Sequence, residues 1–590
     1  MSVESVITEN LDIWTSAIKT KSASGRGSSN KLELYGINKL RELIFELAIR
    51  GKLVAPEVTD IPVNDLLVTI EEEKAQLVKS KEIKKPKKLP VIQNDEVPFD
   101  VPEGWQWVRL GVLGNIFNGN SVNAKLKEEK YTGLAQGLPF IATKDVSYGF
   151  DELDYDNGVL IPHGEPKFKV AKAGAVLVCA EGGSAGKKCG ITDKDICFGN
   201  KLFANQLYGN ISPRYILSCY LSPTFYKMFS ESMTGIIGGI SAAKFSELLI
   251  PLPPLSYQNR LVSKIDELMT LCDKLESQTE SSVEAHKILV ETLLATLTNA
   301  KDTDELNKSW QRISEHFDTL FTTEDSIDQL KQTILQLAVI GKLVKQDPND
   351  KPVSILLDRI VKEKAQLIKD KQIRRQKALL PISEDERPFE LPQGWSYARV
   401  SEVISPQREI SYGIIKLEKE PEKGGIPTLR CSDVKSRNID LSGVRNVTET
   451  VEEPYKRTRL QGGEVLVNIR GTLGGVALVS ENLIGYNIAR EVAMLPIHKD
   501  IIGMHLVNII ASPYFWEMIE SNLKGIAYKG LNLNSLRDFV IPLPPAEEQE
   551  RITRKVEHLF MICEKLKSKL ANVQTTKKQL ADSISSSLVN

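Results

Sequence analysis

An excess of charge of either sign is what this 590-residue chain most plainly lacks. It carries 76 Lys+Arg against 77 Asp+Glu, a formal net charge of -1. A protein that holds polyanions by bulk charge is thereby excluded. Cysteine is scarce, at seven residues, odd in number and irregular in spacing. No disulfide framework follows from that, and a reducing cytosol is the expected compartment. Long apolar runs are missing too. The longest, such as 175–180, are far too short to span a bilayer. Residues 1–20 are polar and acidic without an apolar core, so no signal peptide is expected. Hydrophobic residues at 41% and charged residues at 26% exclude wholesale disorder. The length predicts three or four domains.

Catalytic motifs are also lacking. The run Gly182-Gly183-Ser184-Ala185-Gly186-Lys187-Lys188 superficially resembles a phosphate loop. Glu181 stands where the first glycine of that motif belongs, and no Ser or Thr follows Lys187. Either defect weakens a phosphate cradle or its metal ligand. Cys179, Cys189, Cys197 and Cys219 show no Cys-x-x-Cys pairing and no nearby histidine pair, which argues against zinc. The Asn-Pro-Pro-aromatic tetrad of base-amino methylation is absent, as are Gly-rich dinucleotide and His-Glu-x-x-His patterns.

What is present is a duplication. Residues 47–54 (LAIRGKLV) recur at 337–344 (LAVIGKLV), and 73–77 (EKAQL) recur at 363–367. Pro98-Phe99, Pro102 and Gly104-Trp105 recur as Pro388-Phe389, Pro392 and Gly394-Trp395, at a constant offset of 290. Between 62 and 105 there are 23 identities in 44 positions. A second block, Ile250-Pro251-Leu252-Pro253-Pro254, recurs as Ile541-Pro542-Leu543-Pro544-Pro545, with Gln258 and Arg260 answered by Gln549 and Arg551. The intervening stretches are nearly equal in length, yet most of their residues differ. A skeleton survives there: Asp145-Val146 with Asp433-Val434, Gly182 and Gly186 with Gly471 and Gly475, Ser222-Pro223 with Ser512-Pro513. A kept frame with a changed face implies one kind of ligand recognised in two versions. Residues kept in both copies are mostly Pro, Gly, Trp and apolar types, which hold shape rather than move protons. Asp145 and Asp433 read as turn residues, and Trp105 and Trp395 as core anchors.

After each Pro-Pro the pattern turns helical. Leu261, Ile265, Leu268, Cys272, Leu275, Thr279, Ser282, His286, Leu289 and Leu293 step by four and three. Ile552, Val556, Leu559, Cys563, Leu566, Leu570, Val573, Lys577, Leu580 and Ile584 repeat the pattern 291 residues on. Such spacing predicts coiled-coil seams on helices of about 39 residues, or roughly 58 Å. Thr279, Ser282 and His286 make the middle of the first seam polar. Amphipathic helices are expected near 40–54 and 330–344, and solvated ones at 65–83 and 355–373. The runs 174–179 and 463–469 read as strands, and the variable stretches as mixed α/β. Residues 22–30 read as a Ser/Gly tether, with a basic contact through Arg26 and Lys31 as the alternative.

The order of conserved helix, variable region ending in Ile-Pro-Leu-Pro-Pro, heptad helix and repeat resembles the specificity subunit of type I restriction–modification systems. The stretch Leu11-Asp12-Ile13-Trp14-Thr15, followed by Ser24-Gly25-Arg26-Gly27-Ser28-Ser29-Asn30-Lys31, resembles the type IB subgroup with its N-terminal extension. The resemblance covers essentially the whole chain and implies an α+β fold. Two mixed α/β target-recognition domains would be joined by long conserved helices in an antiparallel coiled coil, related by a pseudo-two-fold. The expected organisation is an N-terminal extension with a flexible linker (1–36), a helical region (37–101), recognition domain 1 (102–255), a spacer helix (256–300) and a linker (301–326). The second helical region (327–391), recognition domain 2 (392–546) and the C-terminal spacer helix (547–590) follow.

The resemblance further implies a non-catalytic subunit. Each domain would read one half of a split asymmetric site in double-stranded DNA. The helices would set the spacing and dock two methyltransferase (modification) subunits, and motor-endonuclease (restriction) subunits would complete the complex. S-adenosylmethionine, ATP and Mg2+ would be used by those partners, with no cofactor or metal in this chain. A rod of this length could separate half-site centres by more than one DNA turn of roughly 34 Å. Leu261, Ile265, Leu268, Leu275, Ile552, Val556, Leu559 and Leu566 would serve the coiled coil and subunit interface. A protein-binding scaffold without DNA recognition, and an enzyme with an unrecognised site, are the alternatives.

Base readout calls for Arg, Lys, Asn and Gln on loops entering a groove. From Trp105 to Ile250 there are 15 Lys+Arg against 13 Asp+Glu, and from Trp395 to Ile541 18 against 17. A basic face must therefore come from segregation. Candidates in the first domain are Lys125, Lys127, Lys144, Tyr148, Lys187, Lys188, Asn200 and Lys201. In the second they are Arg408, Lys416, Arg430, Arg437, Arg470, Arg490 and Lys529. Arg470 replaces Glu181 on a kept turn, where a change of residue would change specificity.

Overall fold

The computed structural model describes residues 3–21, 31–235, 238–374, 379, 381–523 and 531–589. Seven helices form the framework. They are α1 (Tyr35–Ile49), α2 (Val63–Lys79), α3 (Leu255–Thr298), α4 (Thr303–Glu315), α5 (Glu324–Val339), α6 (Val353–Lys369) and α7 (Ala546–Val589). The long helices α3 and α7 have 44 residues each, or about 66 Å at 1.5 Å per residue. The chain divides into two compact units, 1–282 with 573–590, and 283–572. Each unit thus holds the start of one long helix and the end of the other. The division in α3 falls at Ser282, within its polar middle.

In the first unit, α1 lies between the two long helices. Arg41 pairs with Asp273 (2.6 Å) and Glu276 (2.5 Å) of α3, and Tyr35 donates to Asp582 of α7 (2.7 Å). In the second unit α5 repeats the arrangement. Gln329 donates to Glu291 of α3 (3.2 Å), and Lys331 and Asp328 pair with Glu564 and Lys567 of α7. Equivalent residues hold equivalent ends. Lys52 donates to the Leu588 and Val589 carbonyls, and Lys342 to those of Thr298 and Ala300, which caps orphan carbonyls at a helix terminus. Asp60–Arg260 (2.8 Å) is matched by Asp350–Arg551, and Glu96–Arg109 (2.7 Å) by Glu386–Arg399 (2.9 Å). Trp105 and Trp395 are buried as expected. Trp105 meets the Tyr257 ring edge-on, and Trp395 donates its indole N–H to Glu548 (3.0 Å).

Gly51 and Gly341 end α1 and α5 with φ of 67° and 73°. A Cβ on Gly341 would stand 2.5 Å from Pro392 Cγ, and one on Gly51 would meet the Pro102 ring. Left-handed strain and this clash act together. Gly341→Ala is expected to lower the stability of the second unit by about 2 kcal/mol, read as a shifted denaturant midpoint. An unchanged midpoint would show that the Gly341–Pro392 approach relaxes freely.

Each recognition domain is entered by one strand and left by its antiparallel partner. In the first copy the strands are β1 (Gln106–Arg109), β2 (Gly114–Asn118), β3 (Val176–Cys179), β4 (Cys189–Ile191), β5 (Leu202–Leu207) and β6 (Leu249–Leu252). In the second they are β7 (Ser396–Arg399), β8 (Ser411–Tyr412), β9 (Val465–Asn468), β10 (Val476–Leu478), β11 (Val492–Leu495) and β12 (Val540–Leu543). β1 pairs with β6 and β7 with β12. The main sheets run in the same order, β2-β5-β3-β4 and β8-β11-β9-β10. A smaller sheet beside each contains one parallel pair, Leu138–Ile141 with Ile196–Phe198 and Ile426–Leu429 with Asn487–Ile488. β3 and β9 are buried along their full length, so continuous apolar runs rather than alternation announce them.

Two expectations change. The stretch 301–326, expected as a linker, is largely helical. Asp302 caps α4 by accepting from Glu305 N–H (2.8 Å), Phe317–Leu320 adds a further turn, and Ile313, Leu320 and Phe321 are buried. His286 is what this segment docks on, its Nε2 lying 2.9 Å from the Leu320 carbonyl. The expected seams are not continuous. Leu261, Ile265, Leu268, Ile552 and Val556 are buried, but Leu289, Val573 and Leu580 are exposed, while Val290, Leu294, Leu297 and Ala581 are buried instead. A straight helix of 3.6 residues per turn drifts off a seven-residue repeat, and the buried face moves with it. The buried seam residues also lie within the cores of their own units, together with partly buried Leu275, Leu559 and Leu566. That placement leaves little of them for a partner subunit. The extension is folded where described. Val3–Glu9 and Leu11–Ser16 are helical, Trp14 is fully buried, and Lys19–Lys21 pairs with Lys31–Glu33. The expected tether 22–30, with Arg26, lies outside the described residues.

Candidate nucleic-acid interface

In the first domain, the β3–β4 hairpin loop gathers most of the expected residues. Gly182 (φ 88°) and Gly186 (φ 71°) shape it, and Phe229 lies where a side chain on Gly186 would go. Gly182 N–H donates to the Gly238 carbonyl (2.9 Å), and Ile240 N–H to that of Ala180 (3.0 Å), so the segment around 238–240 braces the loop. Lys188 Nζ donates to the Thr143 carbonyl (3.1 Å) and lies 5.1 Å from the Tyr148 ring. The Tyr148 hydroxyl is 3.3 Å from Ser184 Oγ, yet its side chain is 62% exposed. Lys187 stands over the Tyr226 ring at 5.7 Å. Lys201 approaches Glu181 (3.7 Å), Asn200 beside it is exposed, and Lys144 pairs at 3.5 Å with the buried Asp145.

Six of the eight candidates, Lys144, Tyr148, Lys187, Lys188, Asn200 and Lys201, thus sit on or beside one loop system. A ring with cations around it suits stacking and phosphate contact. Lys125 and Lys127 stand apart on a short helical turn, Lys125 near Glu129 (3.8 Å) and Lys127 over the Phe140 ring (5.8 Å). Ser184 and Tyr226 belong to the site but were not singled out from sequence. Ser184 was visible only within a failed phosphate loop, and Tyr226 lies in a helix remote along the chain.

In the second domain the β9–β10 loop is two residues shorter. Asn468 holds it by donating to the carbonyls of Cys431 (2.9 Å), Val434 (3.1 Å) and Thr472 (3.0 Å). Arg470 is exposed, with its N–H on the Glu491 carbonyl (3.3 Å). The neighbouring Arg490, also exposed, donates its N–H to the Ile414 carbonyl (2.9 Å), and exposed Lys416 follows two residues on. Those three cations are the ones the fold brings together and leaves open. Leu531 N–H donates to the Ile469 carbonyl (2.9 Å), matching Ile240 and Ala180.

Three other arginines of the second domain are engaged inside the fold. Arg408 pairs with the buried Glu464 and donates to the Arg459 carbonyl (2.9 Å). Arg430 clamps Asp433 (3.2 Å) and the Gly443 carbonyl (2.6 Å). Arg437 is half-buried over the Phe560 ring of α7 (4.2 Å). Sequence shows a cation on a polar loop but not the partner that the fold folds under it. Lys529 lies outside the described residues. Asp145 and Asp433 are the turn residues expected, accepting from the N–H groups of Ala142 and Arg430 (2.8 Å each). Among the described residues no group of three or more His, Cys, Asp or Glu could hold a metal ion, and no helix is long and apolar enough to cross a membrane.

The model of the type I restriction modification DNA specificity domain matches residues 102–285 and 392–574. The chain belongs to that family. Along its whole length it is 36% identical to the specificity subunit of the type I restriction enzyme EcoEI and 36% to that of EcoAI, both from Escherichia coli and both covered completely. The EcoBI specificity subunit of the same species is 24% identical over 83% of this chain and 87% of its own. A crystal structure of the HsdS subunit from Thermoanaerobacter tengcongensis aligns with 84% of this chain and 98% of its own, at 17% identity and a TM-score of 0.36. Each matched segment runs from the Gly-Trp entry through one variable domain into a long helix, so this chain carries the specificity domain twice.

Proposed function

We propose that this chain is the DNA-recognition subunit of a type I restriction–modification complex, each variable domain reading one half of a bipartite asymmetric site. One observation carries the reading. The same hairpin, its Ala180 or Ile469 carbonyl accepting from the N–H of Ile240 or Leu531, presents Glu181, Ser184, Lys187 and Lys188 in one copy and Arg470 in the other. The shared frame gives both domains one way of meeting a duplex, and the changed residues give each its own half-site. Near-neutral domains bind phosphates weakly by themselves, so full affinity is reached in the assembled complex.

The chain itself is non-catalytic. Two methyltransferase subunits dock on the helical framework, and motor-endonuclease subunits complete the complex. S-adenosylmethionine, ATP and Mg2+ serve those partners, and the assembled complex works in the cytoplasm. The two long helices set the unread spacer. The test is selection of random-sequence DNA by the methyltransferase assembled on this chain. A bipartite site with a fixed gap is expected. A continuous site, or none, would overturn the reading and leave a protein-binding scaffold in its place.

A further inference from the structure

Each recognition domain touches a long helix at a second place, away from its paired entry and exit strands. In the first unit the chain after Asp145-Val146 lays Phe150 against Phe45 of α1, ring centroids 5.3 Å apart. The Arg214 guanidinium lies 4.4 Å over the Phe150 ring and pairs with Asp266 of α3 (2.6 Å). In the second unit the chain after Asp433-Val434 forms a small hairpin, Val434–Lys435 with Asn438–Ile439. Arg437 at its tip lies 4.2 Å over the Phe560 ring of α7, one turn from Glu557. Burial lowers the pKa of Arg437, and Glu557 acts in the opposite sense.

The two contacts use the same parts: a cation of the recognition domain, an aromatic ring and a long helix. At the offset of 291, Asp266 corresponds to Glu557, Met269 to Phe560, and Arg214 to His505. In the first copy cation and ring both belong to the recognition domain, and the cation reaches the long helix through the acid. In the second the domain supplies the cation and the long helix supplies the ring. An acid stands on the long helix in both. Arg437 is moreover a non-glycine residue at φ 60°, and its Nε has no hydrogen-bond partner among the described residues. Both are local costs that surface packing alone does not require.

We propose that these cation–ring contacts are struts that fix each recognition domain to its long helix, making Arg437 with Phe560, and Phe150 with Arg214, positioning residues for the gap between the two half-sites. The proposal rests on the reading that each domain recognises DNA. Helices of each domain already rest on α1 or α5, through Thr224 on Glu46 and Tyr514 on Gln336; the strut attaches a different part of the domain, next to the segment after Asp145 or Asp433, to the long helix. The strut acts on spacing and not on base identity.

The test uses the assembled methyltransferase and a DNA library in which both half-sites are kept and the gap varies by single base pairs. The wild type is expected to favour one gap length. Arg437→Ala and Arg437→Gly should admit gaps one base pair shorter and longer, with selectivity reduced about tenfold, the scale of a desolvated cation–ring contact. Arg437→Lys should retain most of the selectivity. Phe150→Ala should broaden the gap preference in the same way from the other domain. Base preference within both half-sites should not change. Arg437→Gly relieves the left-handed backbone, so it keeps the test open should Arg437→Ala fold poorly. Folded Arg437→Gly with unaltered gap selectivity overturns the strut. Altered base preference at an unaltered gap also overturns it and makes Arg437 a reading residue. A wild type that enriches no bipartite site overturns the underlying reading instead.

Discussion

Arg470→Ala is expected to abolish base discrimination at one position of one half-site and to leave the other half-site untouched. The side chain leaves β9 at a turn that cannot drift. Asn468 binds three carbonyls around it, Gly471 approaches Cys431 with φ 76°, and the Arg470 N–H is held by Glu491. The guanidinium itself is exposed, and no ion pair engages it among the described residues. A fixed backbone under a free fork loses little entropy on binding and suits bidentate contact with a guanine edge. Such a contact discriminates by about 1–3 kcal/mol, or roughly five- to 150-fold. Binding of the assembled methyltransferase to single-base variants of its site measures this. A loss of equal size for every base, with a smaller salt dependence, would make Arg470 a phosphate contact. Equal loss in both halves would remove it from the site altogether.

The fold was legible in this sequence wherever two copies could be compared. The offsets of 290 and 291 located α1 with α5, α2 with α6 and α3 with α7, and the kept skeleton between them located the strands β3 and β9, because a repeat filters out residues that are free to vary. The same filter hid the rest. The stretch that became α4 has no copy with which to align, although Asp302 ahead of Leu306, Trp310 and Ile313 is a capping residue before an apolar stripe. The seam was extended by a strict seven-residue count across the polar middle of α3, where nothing apolar corrected the phase. At the candidate site, exposed cations on Gly-rich turns were found, since glycine fixes where such a turn must lie. Arg408, Arg430 and Arg437 looked the same in sequence. Their partners, Glu464, Gly443 and Phe560, lie 56, 13 and 123 residues away along the chain, and a one-dimensional reading does not show that they are neighbours in space.

His505 should make the second unit acid-sensitive in a range where the first is not. Its ring is buried, and neither nitrogen has a hydrogen-bond partner among the described residues. Burial pulls its pKa from 6.5 down to about 3. The folded state therefore holds a neutral imidazole while the unfolded chain takes up a proton below pH 6.5. Stability is complete above that pH and is lost as pH falls from 6.5 toward 3. Over the whole window the loss approaches about 5 kcal/mol, and about 2 kcal/mol of it falls between pH 6.5 and 5. Carboxylates act lower. Glu386, held at about 2 by Arg399, loses its contribution only as pH falls below its ordinary 4.5. Denaturant unfolding at pH 7 and pH 5 should show the second unit weakening, and His505→Leu should remove most of that dependence. Arg214 occupies the matching position of the first unit, paired with Asp266, so no such buried imidazole is present there. If His505→Leu leaves the pH dependence intact, groups other than His505 carry it.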